Sequence, residues 1–269
     1  MELAFFADEV SKEDFDEALK LGVEAGATGV EIRGGIWGQR IQEIDDDTVK
    51  RVQDALAKHG VKVSSIGSPF GKCAHDSKEE QDQHHRIFER MVELTDAFDT
   101  PIIRGFALWN PYRKEPGRPR PEISEFLDVM VPFMEPAVRT AGAEGVTLSL
   151  ENEDATLVGS CAEAVALAKA MGDPEGLSFC WDVNNGVACG ERAYPDGYDL
   201  IEGRITHLHV KPNKQIGLDP IEGSGMKYVD LLKQMLADGY TGAASIEHWG
   251  TPELMLKGVR LLRPVLDSL

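Results

Sequence analysis

The chain is short of basic residues: 28 Lys and Arg stand against 46 Asp and Glu in 269 residues, a formal net charge of -18 at pH 7. A surface that acidic repels phosphate backbones and anionic lipid, so neither nucleic acid nor a membrane is an expected partner. Long hydrophobic runs are missing too, and no apolar stretch approaches the roughly 20 residues that cross a bilayer. Cysteine is scarce: Cys73, Cys161, Cys180 and Cys189 are unclustered and show no CxxC spacing. Neither a disulfide frame nor a zinc knuckle is expected; reduced thiols in a cytosol are. The opening "MELAFFADEVSKED" has no basic segment before its short apolar stretch, so the expectation is a cytoplasmic protein without a signal peptide. A GxGxxG phosphate turn is also absent after the first strand-like run, where "ADEVSKED" stands instead. That argues against a doubly wound dinucleotide-binding sheet.

What is present is a repeating unit: a short strand-like run, a loop, an amphipathic stretch, then Gly. The strand candidates are "LAFFA" from Leu3, "GVEIRG" from Gly29, "VKVSSIG" from Val61, "PIIRGFAL" from Pro101, "VTLSLE" from Val146, "LSFCWD" from Leu177, "ITHLHVK" from Ile205 and "GAASIE" from Gly242. Helical patterns lie between them. "SKEDFDEALKLGVEAG" opens on Ser11 as an N-cap, and "DDDTVKRVQDALAKHG" opens on an acidic turn, each with Gly where a C-cap belongs. Eight such units predict a single (β/α)8 barrel over residues 1–269, with 42% hydrophobic residues to fill its core. The segment "NPYRKEPGRPRPE", from Asn110, reads as an insertion after the fourth strand, on the face where barrel active sites form.

The alternation of the last four strands can be phased. Val146, Leu148 and Leu150 face the helices, so Thr147, Ser149 and Glu151 face inward. The same logic turns Asp182 inward beside the small Ser178 and Cys180. It turns Ile205, His207, His209 and Lys211 inward on the next strand, and Ser245 and Glu247 on the last. Each strand thus delivers an ionisable or ligating side chain at its C-terminal end. Glu151, Asp182, His209 and Glu247 form a ring at the barrel mouth, about one βα unit apart along the chain. Three crowded carboxylates repel one another unless a cation sits between them. Hard oxygen donors with one imidazole suit a divalent metal ion, with Mn2+ favoured and Mg2+, Co2+ or Zn2+ as alternatives.

The ordered set "GVEIRG", "KVSSIGSPFGK", "LSLENED", "FCWDVNNG", "HLHVKP" and "ASIEHWG" resembles the sugar isomerase/epimerase family with a xylose-isomerase-like TIM barrel. Its members include tagatose/psicose 3-epimerases, hydroxypyruvate isomerases, inosose-processing enzymes and endonuclease IV. The resemblance spans essentially the whole chain. It implies a divalent metal held by Glu151, Asp182, His209 and Glu247, with both glutamates also acting on the substrate. The family's ligand in "HLH" matches the second His; His207 is then either a supporting group or a packed histidine. The endonuclease branch needs more metal-binding His and a basic groove, and is excluded.

The chain also departs from the 3-epimerases. Asn185 stands where they carry a His, and Val210, Lys211, Pro212 and Asn213 replace their Gly-Glu pair and substrate-gripping Arg. Asn185 and Lys211 are therefore candidates for an altered substrate grip, Lys211 holding a hydroxyl or carboxylate or pairing with an acid. Glu31 and Arg33 face inward on the second strand, as substrate contacts or as an ion pair. Trp37, Trp109 and Trp249 are candidate apolar walls for a sugar ring. His84 and His85 fall in a charged helical run and are expected to face solvent. "EGSG" at Glu222 precedes a helix but has no basic cluster, so a phosphorylated substrate is not inferred.

The expected activity is isomerisation or epimerisation of a sugar or keto-sugar through an enediolate, with Glu151 and Glu247 as acid and base. The alternative is a lyase or dehydratase that ejects a leaving group from a keto-sugar, keto-glycoside or keto-inositol by the same enolate chemistry. A non-catalytic sugar-binding protein would not need two ligating Glu besides Asp and His. The expected partner is a small carbohydrate, and a homo-oligomer remains open.

Overall fold

A computed structural model describes residues 1–211, 228–248 and 250–269. Eight parallel strands follow one another: β1 Glu2–Phe5, β2 Gly29–Ile32, β3 Lys62–Gly67, β4 Ile102–Gly105, β5 Thr147–Glu151, β6 Leu177–Asp182, β7 Ile205–Val210 and β8 Ala243–Ile246. They pair in the order β1-β8-β7-β6-β5-β4-β3-β2, and a bridge between Phe6 and Glu31 brings the two edges together. The result is a nearly closed (β/α)8 barrel, and all eight expected runs supply its strands. The helices are α1 Ala7–Val10, α2 Phe15–Glu24, α3 Asp46–His59, α4 Lys78–Phe98, α5 Leu127–Ala143, α6 Cys161–Ala170, α7 Val183–Ala188, α8 Tyr198–Ile201, α9 Tyr228–Ala237 and α10 Pro252–Asp267. None of these is long and apolar enough to cross a membrane.

The main core lies outside the barrel wall, between strands and helices. Leu148, Leu150, Phe179, Trp181, Leu208, Val210 and Ile246 are all buried there, and Trp181 stacks on Tyr198 of α8 at 5.5 Å. Each large side chain so buried contributes roughly 1.5–3 kcal/mol. The opposite phase of the same strands carries Ser149, Ser178, Cys180 and Ser245 into the interior. Small inward residues leave room for the larger ionisable groups above them.

Three local expectations are corrected. The N-cap of α2 is Asp14, whose side chain accepts from the Glu17 N–H, while Ser11 accepts from the Asp14 N–H one turn earlier. Ile205 is not inward. The β6–β7 register slips between Phe179 and Cys180, so Ile205 pairs with outward Phe179 while His207 pairs with Cys180. The extra residue, Thr206, turns inward, its hydroxyl 2.8 Å from Ser149 Oγ and 2.6 Å from Ser178 Oγ. His84 and His85 are half-buried, because on α4 they lie four and three residues before Phe88, on the inner face. The His85 ring meets Phe70 and Phe133 edge-on at 6.0 and 5.1 Å.

Candidate metal centre

The C-terminal ends of β5 to β8 bring Glu151, Asp182, His209 and Glu247 together, all of them buried. Asp182 pairs directly with His209 across the β6–β7 ladder, and His209 with Ser245, two residues before Glu247. His209 Nδ1 lies 3.3 Å from Glu151 Oε1, 3.7 Å from Glu247 Oε2 and 3.9 Å from Asp182 Oδ2. One donor atom from each of the four lies within 4.8 Å of the others.

Asp182 divides its carboxylate. Oδ1 accepts from the Asn185 N–H at 2.9 Å and caps α7, which explains a strand that ends in "DVNNG". Oδ2 is left for other work. Among the described residues no hydrogen bond of good geometry reaches Asp182 Oδ2 or Glu247 Oε2, both fully buried. Their countercharge is the Lys211 ammonium, 2.5 Å from the first and 3.2 Å from the second. Three carboxylates and an imidazole nitrogen with donor atoms this close together fit a divalent cation; the donor set does not select which one.

The electrostatics agree with a site that holds positive charge. Burial raises the Asp182 pKa, and the Glu151 and Glu247 charges reinforce the rise against the pull of Lys211. Burial opposes ionisation of Glu151 too, but His209 and Arg104 outweigh it and hold that carboxyl below its ordinary range. Glu247 is likewise lowered, with Lys211, His209 and Arg33 overcoming burial. Burial would lower His209, yet the Glu151 and Glu31 carboxylates keep it well above 6.5. Cys180, 3.5 Å from His209 Nε2, is pushed up to about 12 by burial and stays a thiol at neutral pH.

Behind the ring lies a layer of paired ionisable groups. Glu31 Oε2 is 2.8 Å from His207 Nε2 and 3.0 Å from His209 Nε2, while Glu31 Oε1 accepts from Arg104 Nε at 3.2 Å. Arg104 also pairs with Glu151 Oε2 at 3.2 Å. Arg33 joins Asp8, Glu9 and Glu247, at 2.9, 2.8 and 2.8 Å. Glu31 thus meets Arg104 and two histidines, while Arg33 meets three carboxylates, one of them Glu247 of the ring.

A cavity of about 550 Å³ opens over the ring, lined among others by Glu151, Glu247, Arg33, Arg104, Lys72 and Phe106. Gly71, at φ +85°, passes so close to β4 that a Cβ there would meet the Phe106 carbonyl oxygen at 1.9 Å. Only glycine lets the loop run this way. It sets Lys72 above the Phe106 ring at 4.0 Å, 3.2 Å from Glu153.

The other expected contacts divide. Lys211 stands in the ring, Asn185 faces it at 3.4 Å, and His207 touches Glu31 beneath it. Trp109 stands behind Lys72, 5.5 Å from its ammonium, with Arg113 across its ring. Trp37 is not brought to the ring. Its backbone is left-handed, φ 48°, and its indole packs between Phe15 and the Arg51 guanidinium, toward α2 and α3. The loop from Asn110 is tied down at its far end by Arg120, which bonds the Thr156 carbonyl and Glu163. Trp249, Pro212, Asn213 and the Glu222 turn lie outside the described residues.

Three contributors were not expected from the sequence. Arg104 interrupts an apolar strand, a signal present in "PIIRGFAL". Asn152 follows Glu151 directly and brackets Asp182, accepting from its N–H and donating to its carbonyl at 2.8 Å each. Lys72 carried no local signal.

A family model described as the xylose isomerase-like TIM barrel matches residues 19–265. No curated protein sequence matches significantly. Among solved structures, a xylose isomerase-like TIM barrel protein from Mycobacterium smegmatis in complex with magnesium superposes with a TM-score of 0.76. It is 17% identical over 99% of this chain and 97% of the other. A 3-keto-D-glucoside 4-epimerase from E. coli gives 0.73 at 17% identity over 98% and 99%. A probable 3-DHS dehydratase involved in petrobactin synthesis, from Bacillus anthracis, gives 0.72 at 15% over 97% and 98%.

Proposed function

We propose that this chain, which belongs to the xylose isomerase-like TIM barrel family, is a divalent-metal-dependent isomerase or epimerase of a sugar or keto-sugar. The observation that carries the reading is the ring itself: four buried donors from four consecutive strands, with one donor atom of each within 4.8 Å of the others. A divalent cation held by Glu151, Asp182, His209 and Glu247 would polarise a substrate carbonyl and stabilise the negative charge that develops on its oxygen.

The protein's own groups move the proton. Glu151 and Glu247 come from strands separated by β6 and β7, so their carboxylates approach a substrate carbon from different sides. His209 and Arg104 keep Glu151 ionised, and Lys211, His209 and Arg33 do the same for Glu247, so each rests as a carboxylate. One carboxylate removes the proton beside the carbonyl, while the other first takes up a proton from solvent and then delivers it to the opposite face, which inverts the carbon. A single base relaying the proton to the adjacent carbon gives isomerisation instead. The keto-glucoside epimerase among the structural neighbours accords with a cyclic keto-sugar as substrate.

One observation favours the elimination reading. Lys211 Nζ lies 3.2 Å from Glu247 Oε2 and could protonate a departing hydroxyl or alkoxide while the glutamate takes the carbon-bound proton. Incubating metal-loaded protein with a panel of keto-sugars, with products read by NMR, separates the two. A metal-dependent epimer or isomer supports the first reading, an unsaturated product the second, and no turnover of any keto-sugar with metal bound defeats both.

A further inference from the structure

Glu31 belongs to β2, reaches across the barrel interior to β7, and has no exposed surface. We propose that Glu31 is a positioning residue: it holds His209 in the Nε2–H tautomer and so leaves Nδ1 as the atom that binds the metal. The inference rests on the metal-site reading above and extends it to a residue outside the ring.

The argument is one of donors and acceptors. An ionised carboxylate only accepts, and both Glu31 oxygens are engaged. Oε1 takes Arg104 Nε, so the carboxylate cannot turn without losing a charged partner. That leaves Oε2 facing two imidazole nitrogens, His207 Nε2 at 2.8 Å and His209 Nε2 at 3.0 Å. Each must present its N–H. A metal ion takes the place of one of the two imidazolium protons; with the other kept on Nε2, the lone pair lies on Nδ1, the nitrogen that faces Glu151, Asp182 and Glu247. Nε2 also lies near the Cys180 sulfur, at 3.5 Å, but a thiol sulfur is a weak acceptor. Edge-on rings of Phe6 at 5.2 Å and His207 at 5.4 Å pack against the imidazole and oppose its rotation. Metal-ligating histidines generally need such an acceptor behind them.

The same three groups, Glu31, His207 and His209, also have atoms close enough to hold a second ion. Chemistry favours the hydrogen-bonded arrangement. An ion on His209 Nε2 together with one on Nδ1 would require an imidazole stripped of both protons.

Glu31→Gln puts the inference to the test without changing size. Glutamine has one acceptor oxygen and one NH2 where the carboxylate had two acceptors. With its oxygen held by Arg104, its NH2 faces His209 Nε2, which must then become the acceptor and send its proton to Nδ1. Zn2+ affinity, read by competition with a chelating dye, is expected to fall roughly 10–100-fold. Should the variant fold poorly, the parent alone decides: 15N NMR of the Zn2+-loaded, histidine-labelled protein should show His209 protonated on Nε2. A ligating Nε2 overturns the proposal, as does E31Q that binds Zn2+ like the parent. Two Zn2+ per parent chain, one of them lost in E31Q, overturns it in favour of the second-ion arrangement. A parent that binds no divalent ion defeats the metal-site reading itself and this inference with it.

Discussion

The Lys211 ammonium lies 2.5 Å from Asp182 Oδ2, the oxygen that the metal reading assigns to a cation. A protein side chain thus provides positive charge at a place where a divalent ion would compete with it. Burial disfavours a charged lysine, but Asp182, Glu247 and Glu151 hold its pKa well above 10.5.

That competition makes Lys211→Met informative. In chelator-treated protein the substitution leaves the acidic ring without its internal countercharge, and removing one partner from a buried pair costs about 3–5 kcal/mol. The metal-free melting temperature should drop. Metal, no longer opposed by the ammonium, should bind more tightly, by roughly tenfold or more on the strength of one removed like charge. Differential scanning fluorimetry with and without Mn2+ reads both effects. Weaker metal binding with unchanged metal-free stability would mean that Lys211 supports the ion instead of competing with it.

Asp182→Asn separates the two jobs of one side chain. Asparagine still accepts from the Asn185 N–H, so the cap of α7 survives. The ligand oxygen is what changes, from an anion to a neutral group. Metal content after dialysis should fall to near zero, while the far-UV spectrum matches the parent. The melting-temperature gain on adding metal, a consequence of binding to the folded state alone, should vanish with it. Parental metal content in the variant would remove Asp182 from the site.

Glu9 gives the stability a pH dependence. Burial, with repulsion from Glu247, raises its pKa from 4.5 to about 7 against the pull of Arg33. The folded value lies above the unfolded one, so the associated stability is complete below pH 4.5 and is lost as pH rises toward 7. Glu9→Gln stays neutral throughout. The parent's melting temperature should therefore fall relative to E9Q between about pH 4.5 and 7, and run parallel above that window. Losing one partner of Arg33 shifts the whole E9Q curve, so the slope is the measurement. Equal slopes would show that Glu9 is already ionised at pH 5.

The strands, and the faces of β5 to β8 that carry Glu151, Asp182, His209 and Glu247, could be read from alternation because a strand's period is local. Asp182 stood out for a local reason as well: it ends an apolar run and caps the helix that begins at Val183. The partners of these residues were not legible in the same way. Arg104 meets Glu31 and Glu151 only because β2, β4 and β5 share one interior, and that closure has no signature in any single strand. The inward turn of Thr206 required a register slip against Phe179 that ideal alternation does not contain. Trp37 resembled a ring-stacking wall by sequence position, yet a left-handed backbone aims it at Phe15.

The strictest test of the chemistry falls on Glu151 and Glu247. Were they ligands only, Glu→Gln would weaken metal binding and saturating metal would restore turnover. If they also carry protons, the amide keeps an oxygen donor but accepts no proton, and kcat should fall roughly 100-fold or more with metal saturating. Isotope tracing then says how the proton travels. In D2O, two bases on opposite sides should place solvent deuterium at the inverted carbon in every product-forming turnover, because the proton removed is not the one returned. One base shuttling between adjacent carbons carries part of the original hydrogen across, and elimination releases the leaving group with an unsaturated product. Each glutamate variant should also differ by direction: the one that serves as base for a given epimer loses exchange of that epimer's hydrogen, while the other retains exchange but stalls before inversion. An epimer formed with its carbon-bound hydrogen fully retained would eliminate the two-glutamate route and require hydride transfer in its place.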